Sequence, residues 1–161
     1  NQAFSVPIEA CGMTVVRVEL EYTEIQAHRG GMGLWPENTI MAMKNAIDLG
    51  VDMLELDLMI SKDSLVVVSH EEIMSSEYVT KPDGTRVTKA EEASLVLFGM
   101  PYDDIRRYDT GLAGDSRYPA RVRIAACKPL LSELLDATEA HIREKGGRNL
   151  RYNIEIKAVV V

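Results

Sequence analysis

Short apolar runs that each stop at titratable residues constrain this chain more than any other feature. Between Ile25 and His70 the sequence reads IQAHRGGMGLWPENT, then VDMLELDL, then LVVVSH. Brief stretches of Val, Ile and Leu bounded by glycines or charges read as strands. We assign strands to Thr23–Ala27, Val51–Leu58, Leu65–Ser69 and Arg151–Ile156. Helical periodicity fills two of the gaps. Pro36 suits a first helical turn, Ile40, Met43, Ala46 and Ile47 form a stripe, and Gly50 is a stop. From Pro129 to Lys145 a second stripe of Leu131, Leu134, Leu135, Thr138 and Ile142 ends at Gly146-Gly147. Strands alternating with helices define an α/β chain. Between Glu71 and Lys128 the pattern weakens to a Pro82-Asp83-Gly84 turn and an apolar segment from Ala90 to Phe98. In residues 1–23 only the alternation of Val16, Val18 and Leu20 suggests a strand.

Composition narrows the partners. The chain has 161 residues, enough for one domain with a real core. A net charge of −7, without a basic cluster, argues against nucleic acid. An anionic substrate would therefore need a metal or individual cations. Cys11 and Cys127 lie far apart and form no metal-binding spacing. No apolar run approaches the ~18 residues that span a bilayer, so stable membrane insertion is not expected. Compartment and oligomeric state stay open.

Several residues carry chemistry, each with a plainer alternative. Glu55 and Asp57 are two apart in a strand and share a face. With Glu155 they offer a hard divalent cation three carboxylates, unless they face solvent on an edge strand. His28 and His70, two of only three histidines, suit an acid/base pair or two structural imidazoles. Arg29 and Lys157 suit phosphate oxygens or salt bridges to neighbouring carboxylates. Glu37 is a pocket residue or a favourable first-turn charge, and Asn38 reads as a cap. Trp35 lines a pocket or packs, and His141 reads as a helix-surface histidine.

Taken together and in order, HRG (His28–Gly30), PENT (Pro36–Thr39), ELD (Glu55–Asp57), the strand-end His70 and EIK (Glu155–Lys157) resemble the glycerophosphodiester phosphodiesterase family. The resemblance runs over about residues 24 to 157. It implies a TIM-type (β/α)8 barrel, of which residues 24–161 are the front part with about the first four strands. Residues 71–128 become an inserted small lobe over the active-site mouth. It also implies His28 and His70 as catalytic acid and base, and Arg29, Glu37 and Lys157 at the substrate phosphate. Glu55, Asp57 and Glu155 become ligands of Ca²⁺ or Mg²⁺. The implied substrate is a small glycerophosphodiester, hydrolysed to sn-glycerol 3-phosphate and an alcohol. Competing readings are a truncated, non-catalytic phosphate- or metal-binding relative and a phospholipase-type phosphodiesterase. Two departures stand out: Glu71 follows His70 where the family usually has Asp, and the family's later strands are missing.

Four strands fall short of the eight that close such a barrel. An open half leaves a sheet edge unpaired, and Ala158–Val161 adds an apolar end. The 161-residue chain made alone is therefore expected to self-associate and to show little diesterase activity, checked by size-exclusion chromatography and turnover.

Overall fold

In the structure, a computed structural model describing residues 23–157, the central strand is β2, Met53–Ile60. The residues around Val16–Leu20 and Ala158–Val161 lie outside the described part. Successive side chains of β2 point to opposite sides. Leu54, Leu56 and Leu58 enter the main core, while Glu55 and Asp57 face the other way. Each buried leucine contributes about 1.5–3 kcal/mol, so this register is strongly specified.

Strand β1, Gln26–Ala27, pairs parallel to β2, with Ala27 opposite Leu54. On the other side of β2 lies β4, Arg151–Ile156, also parallel, with Asp57 opposite Glu155. Parallel register puts paired residues on one face, so Glu155 joins Glu55 and Asp57. Strand β3, Val66–Val68, is the exception to the barrel pattern. It runs antiparallel to β2, with Leu58 opposite Val68 and Ile60 opposite Val66. Among the described residues four strands are present as expected, but β3 is the return arm of a hairpin rather than a barrel strand. The reason is length: a parallel crossover takes about a dozen residues or more, whereas Ser61–Ser64 is a tight turn. Ser61 N–H donates to Leu65 O at 3.0 Å, and Ser64 adopts φ 63°.

Helices α1, Ile40–Leu49, and α3, Leu131–Glu144, cover the leucine face of β2. Met43, Ala46 and Ile47 meet Leu134 and Ile142 there. At the helix surface His141 Nε2 lies 2.9 Å from Asp48, a structural tie between the two helices. Along β4 this cover runs out, leaving Ile156 81% exposed. Helix α1 starts later than the sequence suggests. Asn38 has φ 56°, which no right-handed helix accepts. Thr39 is the N-cap, its Oγ1 accepting from Ala42 N–H at 3.2 Å. The structural advantage of this delay lies in the site described below.

The segment after β3 forms its own small core of Met74, Tyr78, Val79, Val87, Leu97, Tyr102 and Ile105, packed on Met59 and Val67 of the hairpin. The expected turn is present, with Gly84 N–H donating to Lys81 O at 2.9 Å. The Ala90–Phe98 stretch resolves into two 3₁₀ turns, Glu92–Ser94 and Leu97–Gly99, followed by a short helix α2, Tyr102–Ile105. Asp63 in the hairpin turn accepts from Tyr102 N–H at 3.1 Å, fastening this lobe to the sheet. Among the described residues no helix is long and apolar enough to cross a membrane.

Gly30 permits the turn out of β1. It has φ +77°, and an added Cβ would lie 2.9 Å from Ala42 Cβ and 3.1 Å from Met43 N. Gly30→Ala should therefore destabilise the protein by about 2–4 kcal/mol, from left-handed strain plus overpacking. Urea denaturation checks this, and an unchanged midpoint would contradict it.

Candidate active site

The side chains singled out in the sequence gather at the C-terminal ends of β1 and β4 and beside the middle of β2. Asp57 is the innermost, with no exposed surface. A buried carboxylate needs partners. Asn38 Nδ2 donates to Asp57 Oδ2 at 2.9 Å, and Asp57 N–H donates back to Asn38 Oδ1 at 3.2 Å. The left-handed turn at Asn38 makes this two-way clasp possible, so Asn38 is not the helix cap. Arg29 Nε stands 3.4 Å from the same Oδ2. Lys157 Nζ lies 3.2 Å from Oδ1, and 2.5 Å from Glu155 Oε1. The Lys157 contact is an ion pair without hydrogen-bond geometry, so Oδ1 remains a buried acceptor with no hydrogen bond.

Glu55 is also buried. Its Oε2 accepts the backbone N–H of Arg29 at 2.5 Å and lies 3.9 Å from His28 Nε2. Arg29 is in the left-handed region, φ 52°, which costs a non-glycine residue about 1–3 kcal/mol and recurs at functional sites. Burial pushes the Glu55 carboxyl above its usual pKa, and the neighbouring Asp57 charge adds to that shift. One carboxylate oxygen each from Glu55, Asp57 and Glu155 lies within 4.8 Å of the others. Crowded oxygens, an Asp57 Oδ1 that accepts no hydrogen bond and a carboxyl pushed upward together fit a hard divalent cation.

Glu37 is buried and bonded to Arg29, with Oε1 to Nη1 at 2.9 Å. Glu37 precedes α1, which starts at Ile40, so the alternative of a first-turn charge is corrected. Burial alone would lower the Arg29 pKa, but Glu37 and Asp57 carry it above its ordinary value. His70 stands beyond β3, its Nδ1 2.7 Å from Glu71 Oε2. The longer Glu71 thus folds back onto the imidazole, so replacing Asp with Glu still leaves a hydrogen bond. His70, Glu71, Met59 and Lys157 line one open cleft. A roomier cleft of about 780 Å³ lies elsewhere, behind α1 and α3, and contains none of these residues. Trp35 packs its ring over Gly31, a packing role.

Two buried cations escaped the sequence reading. Lys128 donates to Ser69 Oγ at 2.7 Å, its pKa lowered by burial. Arg121 lies 3.1 Å from Glu37 Oε2. No motif marks either, since both come from the segment after β3, where pattern was weakest.

Residues 28–160 match the glycerophosphoryl diester phosphodiesterase family, and the chain belongs to it. A glycerophosphodiester phosphodiesterase of Caldanaerobacter subterraneus is 32% identical over 139 residues, 86% of this chain and 47% of that protein. One from Bacillus altitudinis is 46% identical over 114 residues, covering 71% of this chain and 39% of its own. A crystal structure of a Silicibacter pomeroyi protein of this family superposes with TM-score 0.75 at 27% identity, covering 84% of this chain and 46% of that one. Relatives with this similarity place the fold in the TIM-barrel type, of which the described sheet is a part. The chain spans about half the length of the curated relatives it matches or less.

Asn38→Ala removes both bonds to Asp57 and leaves a buried charge under-partnered. Loss of bonds to a charged group should cost about 1.5–3 kcal/mol in urea denaturation, and an unchanged midpoint would contradict the clasp.

Proposed function

We propose that this chain supplies the metal- and phosphate-binding part of a glycerophosphodiester phosphodiesterase, a phosphoric diester hydrolase. The observation that carries this reading is the meeting of Glu55, Asp57 and Glu155 with Arg29, Lys157 and His28 at one face. Acidic ligands, fixed cations and a titratable imidazole are what cleavage of a phosphodiester requires. The substrate is a small glycerophosphodiester, and the products are sn-glycerol 3-phosphate and an alcohol.

Glu55, Asp57 and Glu155 hold Ca²⁺ or Mg²⁺, all-oxygen donors being suited to either. Bound there, the ion supplies positive charge that polarises the phosphoryl group. Arg29 and Lys157 take the non-bridging phosphate oxygens and neutralise charge developing on them. Arg29 presents a planar fork and Lys157 a point charge. One histidine of the pair takes the proton of the attacking glycerol hydroxyl as its oxygen bonds to phosphorus. The other gives a proton to the alcohol oxygen as its bond to phosphorus breaks. Water then opens the resulting cyclic phosphate to sn-glycerol 3-phosphate. Glu71, bonded to His70 Nδ1, orients that imidazole and leaves Nε2 for the proton.

Two measurements test this in the protein that carries the sequence. At about 100 times its dissociation constant, Ca²⁺ or Mg²⁺ should add about 2.7 kcal/mol of stability, read as a rise in Tm. Glu55→Gln should remove most of that rise. No shift at millimolar ion would contradict the metal site. His28→Ala and His70→Ala should each lower turnover of glycerophosphocholine by about two to four orders of magnitude. On bis-(p-nitrophenyl) phosphate, whose leaving group needs no proton, the variant lacking the acid should recover much of its rate. Equal impairment of both variants on both substrates would refute the division of labour.

A further inference from the structure

We infer that Arg121, from the inserted lobe, is a positioning residue that sets the Arg29 guanidinium through the shared carboxylate of Glu37. Each oxygen of Glu37 is claimed by a different guanidinium: Oε1 by Arg29 Nη1 at 2.9 Å, and Oε2 by Arg121 Nη2 at 3.1 Å. A carboxylate held at both oxygens cannot turn about its last bond, so Arg29 meets it from one direction only. Arg121 is itself fixed on three sides. Its Nε donates to Met32 O at 2.7 Å, its Nη1 lies 3.4 Å from Asp115 Oδ2, and its guanidinium stacks 4.7 Å from the Tyr118 ring centre. Asp115 is gripped in turn by Arg117, Nη2 to Oδ2 at 2.7 Å. The chain Arg117–Asp115–Arg121–Glu37–Arg29–Asp57 thus alternates in sign from the lobe to the innermost carboxylate.

Burial makes the chain consequential. The side chains of Arg121, Glu37 and Asp115 are 2%, 3% and 0% exposed. Charges out of water are tolerated only while partnered, and deleting one leaves its neighbour uncompensated. Without Arg121, Glu37 would be free to swing both oxygens onto Arg29. That would draw the guanidinium away from the pose it shares with Asp57. The lobe would then act on the phosphate contact without touching the substrate. This inference rests on Arg29 being a phosphate ligand, as proposed above.

The test compares Arg121→Met, Arg121→Lys, Glu37→Gln, the Arg121→Met/Glu37→Gln double variant and Arg29→Lys in the protein that carries this sequence. Activity on glycerophosphocholine is read as kcat and KM, and Ca²⁺ affinity by calorimetry. Arg121→Met should lower kcat/KM by about 10- to 100-fold, the usual cost of losing a group that orients a site residue. Ca²⁺ affinity should hold within about two-fold, because no ligand is removed and Asp57 keeps its Asn38 and Lys157 partners. The double variant should be no worse than the poorer single one, since both act through one carboxylate. Arg121→Lys retains the charge and the stem but not the planar fork, so it should fold and still lose activity; it carries the test should Arg121→Met unfold. Wild-type kcat/KM in Arg121→Lys and Arg121→Met, or multiplying losses in the double variant, would overturn the inference while an impaired Arg29→Lys leaves the phosphate reading standing. A fully active Arg29→Lys would overturn both.

Discussion

A carboxylate with no exposed surface, Asp57, sets the terms for the rest of this molecule. Desolvating an ionised group costs several kcal/mol, and only close partners offset that cost. Three stretches of chain supply them. Asn38 comes from the turn before α1, Arg29 from the turn after β1 and Lys157 from the end of β4. Two of the partners, Arg29 and Asn38, sit in left-handed backbone that costs free energy on its own account. Their conformations make sense only as service to Asp57 and Glu55. The strain and the delayed start of α1 are aspects of one electrostatic requirement.

The same requirement explains why the hairpin and the lobe matter to the site. Because β3 turns back along β2 instead of crossing over, it delivers His70 to the site's side of the sheet. The following lobe packs on that hairpin through Met59 and Val67 and carries Arg121 to Glu37. Connecting segments usually run over the surface. Here the segment after β3 places the buried charge of Arg121 beside Glu37. The site is therefore a junction between the sheet and the lobe rather than a feature of strand ends alone.

Much of this was legible beforehand, and the failures have specific causes. The alternation in LELDL places Glu55 and Asp57 opposite the leucines, because strand geometry leaves no other choice. The stripe from Leu131 to Ile142 maps onto α3 for the same kind of reason. In contrast, LVVVSH reads equally well as a barrel strand or a hairpin arm, since apolar content does not encode direction. Only the brevity of Ser61–Ser64 decides it. PENT looked like a helix start because Pro36 suits a first turn. The helix instead waits until Ile40, as Asn38 is needed elsewhere.

Local periodicity was enough to say which residue types stand near strand ends, on which face, and in what order. It acts over a few residues and is written in them directly. Which charges meet depends on how distant segments pack. Arg121 and Glu37 are separated by 84 residues, and no local rule pairs them. Nor does any local pattern show that Asn38 clasps Asp57 or that Lys157 answers both Asp57 and Glu155. Long-range pairing is set by the balance of desolvation against partnering, and that balance exists only once the lobe has packed on the sheet.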